Sequence, residues 1–366
     1  MSSVMAMPPK IAEVEGINWV KEAYYKSVLQ KILFIFSLLV LIFILIIFST
    51  TLGTARITVY EVYSAILNHF LPEVFPVSWK AKVCVWDFRL PRILMGVLAG
   101  FCLGVAGAVM QGILRNPLAS PYTLGIASGA GFGAALAIIS GISFSPCGTY
   151  LVIANAFIFS LLPTFFIVGI SKYRGATPET MILAGIAMLY IFSAATTLME
   201  YFAEPRKVKA VIFWMVGDLG GAKWDYILPA LTISAPIFAI ILLKSWDMNM
   251  INAGDETAIS LGVNVEKFRI SMLVLASLIT ATIVCFTGTI GFIGLVAPHM
   301  CRIVIGGDNR FLVPASGLLG SSLLLASDTI ARTIIAPVIL PVGVITSFMG
   351  GALFLYLIMR KRREYW

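Results

Sequence analysis

Ten stretches of this chain are apolar over a length that suits the hydrocarbon core of a membrane. They run roughly over 32–51, 92–114, 122–142, 150–170, 181–202, 226–245, 269–287, 289–305, 312–331 and 342–359. A helix needs about 20 predominantly apolar residues to cross, because it must satisfy its peptide groups where no water can. The composition agrees: 59% of residues are hydrophobic and 12% charged, against about 25% charged in an ordinary soluble chain. No stretch alternates with the period of a membrane β-strand, which argues against a barrel. The expected fold class is all-α, a polytopic membrane protein with about ten transmembrane helices.

An even number of spans puts both ends on one side. Cytoplasmic ends place Arg115, Lys172, Arg174, Lys244, Lys267, Arg310 and the RKRR run at 360–363 inside, as the positive-inside pattern requires. The net charge of +8 is explained this way and points to no nucleic acid. Residues 1–30 are polar and lack the apolar core of a signal peptide. They read as an N-terminal cytoplasmic segment ending in an amphipathic surface helix, with 31–366 as a single transmembrane domain. The five cysteines are scattered, without CxxC spacing, so neither a zinc site nor a disulfide framework is indicated.

Outside the spans, 52–91 reads as a surface helix and loop, and 203–224 as a short helix that lies on the outer surface or re-enters. The inner segment 246–268 contains a helix-like piece with Asp255 and Glu256 at its start and Gly262 as a stop. Ala258, Ile259 and Leu261 give it a small apolar face, which either caps the bundle or docks on a partner. Gly96, Gly100, Gly104, Ala108 and Gly112 recur every four residues in the second span, and Gly125, Gly129 and Gly133 repeat the spacing in the next. Small residues at that spacing predict close helix packing. The intervening 113–133 holds Arg115, Asn116, Pro117 and Pro121, either an ordinary turn or a broken segment that a substrate passes.

Several chemistries are missing. No G-x-x-x-x-G-K-[ST] phosphate loop occurs, and the two histidines, His69 and His299, form no H-E-x-x-H pair. Position 134 is Ala, which removes the G-x-G-x-x-G dinucleotide fingerprint. His299 reads as a structural histidine at a helix end, not as a metal ligand. Ionisable residues inside the spans are few, Glu200 and Asp328 among them, which disfavours an ion-coupled secondary transporter without excluding it. No catalytic constellation, cofactor site or metal site is expected in this chain.

Four signatures go beyond composition: Arg-Leu-Pro-Arg at 89–92, Asn-Pro-Leu-Ala at 116–119, Gly-Phe-Ile-Gly-Leu-Val-Ala-Pro-His at 291–299 and Leu-Pro-Val-Gly at 340–343. In this order they resemble the FecCD-type permeases, membrane subunits of ABC importers for iron–siderophore complexes, haem and cobalamin. The resemblance covers about residues 30–360. It implies a type II ABC importer permease fold and a homodimer with the pathway between its copies. It also implies two ATP-binding subunits, an extracytoplasmic substrate-binding protein and a prokaryotic cytoplasmic (inner) membrane with both termini cytoplasmic. ATP would be bound by the partner subunits. The substrate implied first is an iron–siderophore complex; cobalamin, haem and molybdate are the alternatives.

The resemblance also assigns roles by position. Arg89, Arg92 and Arg332 match the basic residues that receive acidic groups of the binding protein; membrane anchoring, and for Arg332 an i,i+4 pair with Asp328, are the competing readings. Gly254, Asp255, Ala258, Leu261 and Gly262 match the loop that couples to the ATPase. Asn116 and Leu118 match one cytoplasmic constriction of the pathway. Thr177, an N-cap before Pro178 and Glu179, is placed near a second.

Overall fold

The structure is a computed structural model and describes residues 9–55, 57–72, 74–141 and 147–359. All regular structure among these residues is helical. In chain order the helices are α1 (Pro9–Thr51), α2 (Val59–Phe70), α3 (Trp79–Val83), α4 (Leu90–Leu114), α5 (Ile126–Ile139), α6 (Gly148–Arg174), α7 (Pro178–Phe202), α8 (Pro205–Val216), α9 (Trp224–Leu243), α10 (Ser245–Asn252), α11 (Asp255–Ser260), α12 (Val265–Thr287), α13 (Ile293–Ile305), α14 (Asn309–Thr333) and α15 (Val342–Met359). Each of the ten expected spans falls on one of these helices. Seven helices are long and apolar enough to cross a membrane, and α5, α13 and α15 are shorter apolar helices. The face on which α1 starts and α15 ends is the near face below; the opposite one is the far face.

The N-terminal expectation needs correction. Residues 9–51 form one helix without interruption, so no separate surface helix precedes the first span, and the anticipated boundary at 30/31 falls inside it. Polar residues such as Lys21 and Glu22 remain compatible with helix because their long side chains extend into water. Residues 1–8 and the RKRR run at 360–363 lie outside the described residues.

The second span is also longer than its apolar core. α3 runs through a π-helical turn, Cys84–Arg89, into α4. Pro91 explains the turn: its ring would clash with a carbonyl of a regular α-helix. The wider π turn, in which Leu90 N–H donates to Val85 O, relieves that crowding.

The core is centred on α4, and its glycine stripe is the reason. A Cβ at Gly100 or Gly104 would overlap the backbone of α14 at Gly320 and Ser316. The contact is reciprocal, since a Cβ at Gly320 would overlap Gly100 O. Close backbone approach gives dispersion contact in the absence of a hydrophobic driving force between helices. Gly129 and Gly133 bring α5 against the α6 backbone at Phe159 and Asn155 in the same way. Gly107, outside the fourfold series, makes the tightest approach on α4, against Gly294 of α13; counting strictly by four passes over it.

At about 1.5 Å per residue, α5 and α13 are only roughly 20 Å long, well short of a hydrocarbon core of about 30 Å. The remainder of each crossing is irregular chain, 115–125 before α5 and 288–292 before α13. Gly125 lies against Gly185 and Leu189 of α7, roughly 15 Å along α7 from its start at the near face. The 115–125 segment therefore climbs into the membrane before its helix begins.

Candidate functional site

Three constellations lie along the path from far face to near face. The first gathers the three arginines singled out in the sequence. Arg89, at the end of the π turn, donates from one terminal nitrogen to Thr50 O (2.8 Å) and Thr51 O (3.0 Å), and from the other to Ala55 O (2.8 Å). Arg92, in the first turn of α4, donates from Nε to Asp328 Oδ1 (2.8 Å) and reaches Asp218 Oδ1 at 3.3 Å. Arg332 pairs with Asp328 of its own helix at 2.9 Å and donates to Ser49 O and Leu52 O at the end of α1. That pair is an ion pair by its distance. The i,i+4 pair weighed from the sequence is thus present.

All three arginines are buried, with 4–7% of their surface exposed, and Asp328 is wholly buried. Their guanidinium groups line a cavity of about 820 Å³ that also exposes Asp218, Gly220 and Gly221. Burial of so many charges is tolerated because carboxylates and backbone carbonyls are in place to receive them. The sequence reading missed Asp218. It lies on the 217–223 loop after α8, which Asp218 N–H fastens to Thr287 O at 2.9 Å. No spacing in the sequence links position 218 to position 92.

The second constellation lies at membrane depth. A cavity of about 620 Å³ is bounded by both irregular segments, through Ser120, Tyr122 and Thr123 on one side and Thr289, Gly291 and Phe292 on the other, with Phe348 of α15 facing it. Phe292 has φ 66°, outside the range that non-glycine residues ordinarily adopt. Surrounding contacts hold it: Leu295 and Val296 N–H donate to its carbonyl, and its side chain packs against Gly350 of α15. Thr289 Oγ1 donates to Met215 O at the end of α8. Irregular backbone at such depth is tolerated where it lines a cavity. The second break was not anticipated, although Gly288 and Gly291 mark it in the sequence.

The third constellation is at the near face. Asn116 and Leu118 sit in the turn after α4. Asn116 Oδ1 accepts from Leu118 N–H at 2.9 Å, a local turn that competes with helix. The arrangement leaves Leu118 exposed. Arg115 caps α4 in the left-handed conformation, φ 45°. Thr177 is exposed and is the N-cap of α7, its Oγ1 accepting from Thr180 N–H at 3.3 Å. Gly254 precedes α11 at φ 125°, and Gly262 follows it at φ 88°. Ala258 is buried, whereas Ile259 and Leu261 are about three-fifths exposed. Of the expected apolar face, then, only Ala258 is buried, and the two larger side chains stay largely exposed, Ile259 beside Ala176 and Thr177 at a near-face pocket.

A carboxylate and two arginines tie this region together. Asp255, first residue of α11, accepts from Arg269 at 3.0 and 3.1 Å and from Arg115. Arg269 is 2% exposed and also donates to Ile113 O (2.9 Å) and Ala176 O (2.7 Å). Neither arginine was singled out for this role in the sequence. Nearby, Asp308 caps α14 and accepts from Arg310 and from Asn249 of α10, with Lys31 of α1 at 3.6 Å. Burial alone would raise its pKa, but these hydrogen bonds hold the carboxyl down to about 2. His299 lies within α13, not at its end, with its ring 6.5 Å from that of Phe354.

The chain is 44% identical over 344 residues to an ABC transporter permease protein of Methanocaldococcus jannaschii, covering 92% of this chain and 96% of that one. It is 37% identical to the hemin transport system permease protein of Yersinia pestis, over 89% and 95% of the two chains. A solved structure described as an inward-facing metal-chelate type ABC transporter superposes with a TM-score of 0.78 at 27% identity, covering 89% of this chain and 99% of that one. Residues 40–360 match the FecCD transport family, and this match, with relatives aligned over nearly their whole length, makes the chain a member of that family.

Proposed function

We propose that this chain is the permease subunit of an ABC importer that passes a metal chelate, an iron–siderophore complex first, across a prokaryotic cytoplasmic membrane. The observation that carries the reading is the alignment of three sites along one subunit: an arginine-lined cavity at the far face, a cavity at membrane depth between two broken segments, and a near-face helix with exposed apolar side chains. The near face is then cytoplasmic, as the positive-inside bias requires.

In this reading an acidic group of an extracytoplasmic binding protein enters the cavity lined by Arg89, Arg92 and Arg332. Guanidinium suits that task because it receives a carboxylate through two parallel bonds. A second copy of the chain closes the membrane-depth cavity beside Phe348. Asn116, Leu118 and Thr177 form the cytoplasmic constriction. Two ATP-binding subunits receive α11, with Ile259 and Leu261 filling a groove on each and Gly254 and Gly262 supplying the turns that present it. Rigid-body motion of the ATPases then switches access. The chain itself hydrolyses nothing. The ferric-chelate substrate is supported by the hemin permease of Yersinia pestis and by the metal-chelate type of the solved structure.

The test is transport in vesicles. The permease, co-expressed with its ATP-binding subunit and binding protein, is expected to purify as a complex. It should accumulate radioactive ferric siderophore only with ATP inside the compartment that holds the ATPases. Uptake driven by an ion gradient without an ATPase would overturn this reading in favour of a secondary transporter. ATP-dependent uptake of cobalamin, haem or molybdate in place of ferric siderophore would correct the substrate alone.

A further inference from the structure

The two turns read as constrictions are far apart in sequence, and none of Asn116, Leu118 and Thr177 bonds to α11 in the contacts described above. What joins them is the Asp255 carboxylate. Arg269 uses one terminal nitrogen on Asp255 and the other on Ala176 O, directly before Thr177. Its Nε holds Ile113 O in the last turn of α4. Arg115 spans the other branch: its guanidinium binds Asp255 and Ile251 O (3.0 Å from Nε), and its backbone forms the turn that leads into Asn116 and Leu118.

We propose that Asp255, Arg269 and Arg115 form a mechanical joint that carries displacement of α11 to both constrictions, Arg269 moving the 175–177 turn and Arg115 the 115–118 turn. This rests on the reading of α11 as the ATPase-docking helix. The physical case is that α11 cannot move alone. Arg269 is desolvated, so separating it from Asp255 would leave a buried charge without its counter-ion. Its planar fork fixes direction as well as distance, so Ala176 O must follow when Asp255 shifts. On the other branch, Arg115 holds a left-handed conformation that is sparsely populated for a residue with a side chain. Backbone bonds from Arg115 and Asn116 N–H to Gln111 O hold that conformation, and the side-chain anchor on Asp255 and Ile251 O ties the same turn to α11. Moving the anchor therefore pulls on the turn, and on Leu118 with it. These are positioning residues: they need touch neither substrate nor nucleotide.

The joint predicts two separable branches, which a structural role alone would not. The assembled complex is prepared with Cys84 and Cys147 replaced by Ser, leaving the buried cysteines, and with a single reporter thiol from Leu118→Cys or Thr177→Cys. Maleimide labelling rates are compared with and without a non-hydrolysable ATP analogue. With the joint intact, the nucleotide should change the rate at both positions. Arg115→Gln should abolish the response at 118 and keep that at 177. Arg269→Lys, which retains the buried charge but not the fork, should abolish the response at 177. If Arg115→Gln fails to assemble, Arg115→Lys tests the same branch. Unchanged responses in both variants would overturn the joint while leaving the docking and gating reading intact. Equal loss at both positions in Arg115→Gln would also overturn it. No nucleotide response even with the joint intact would overturn the gating reading, and the joint with it.

Discussion

Replacing Asp328 by Asn should destabilise the far-face end of the bundle by about 3 kcal/mol, the lower part of the range found when one partner of a buried ion pair is removed. Asp328 is wholly buried and bonded to Arg92, with Arg332 at 2.9 Å. Asn keeps one acceptor oxygen but brings an N–H₂ group toward two donors and removes the counter-charge. Arg92 retains Asp218 at 3.3 Å, whose side chain is about half exposed, whereas Arg332 retains only neutral oxygens of α1 among the bonds described. The loss corresponds to roughly a 10²-fold change in the folded-to-unfolded ratio, each 1.4 kcal/mol being about tenfold. Reversible SDS denaturation in mixed micelles, followed by tryptophan fluorescence, measures it. The diagnostic is a double-mutant cycle with Arg332→Gln. With the unwanted positive charge also removed, the double variant should be less destabilised than the sum of the singles by about 1 kcal/mol or more, beyond the scatter of independent sites. Strict additivity, or a cost of Asp328→Asn below about 1 kcal/mol, would refute the argument that these charges are held by mutual compensation.

Three further outcomes follow from particular contacts. Gly104→Leu should destabilise by about 1–3 kcal/mol or more, because even its Cβ overlaps Ser316 O, while Gly221→Ala, with open space at its Cβ, should be neutral in the same assay. Asp308 titrates from a folded pKa of about 2, below its ordinary 3.8, so its contribution is present above about pH 4 and lost as the pH falls toward 2. Acid denaturation of Asp308→Asn should therefore lack that part of the pH dependence. Ile259→Asp combined with Leu261→Asp should release the ATP-binding subunits on size-exclusion chromatography while leaving thermal stability nearly unchanged, since both side chains are exposed in the bundle.

The α4 stripe shows how much could be read in advance and where reading stopped. Gly100 and Gly104 announced a close helix contact through their spacing, but not that α14 would fill it, because any helix with small residues satisfies that pattern. Gly107 escaped because it breaks the step of four, although it lies close to Gly100 and Gly104 around the helix, where α13 packs beside α14. Arg92 and Arg332 stood out as charges at span ends. Asp218, the exposed partner of Arg92, lay in an unremarkable loop, and an ion pair between positions 92 and 218 leaves no local trace. Arg115 was conspicuous as a charge in an apolar run, whereas Arg269 looked like one more basic residue at a near-face span end.

From the sequence alone came the ten apolar segments, the all-helical class, the family signatures and the irregular run at 115–125, since length, hydropathy and proline chemistry act locally along the chain. Tertiary structure decided which segments fall short of a full crossing, where the second break at 288–292 meets the first, and that α1 continues unbroken past its apolar part. It also decided that one carboxylate, Asp255, would serve two arginines. Most of these outcomes depend on backbone approach and charge pairing between segments distant along the chain, as Arg115 and Asp255 are, which no local pattern encodes.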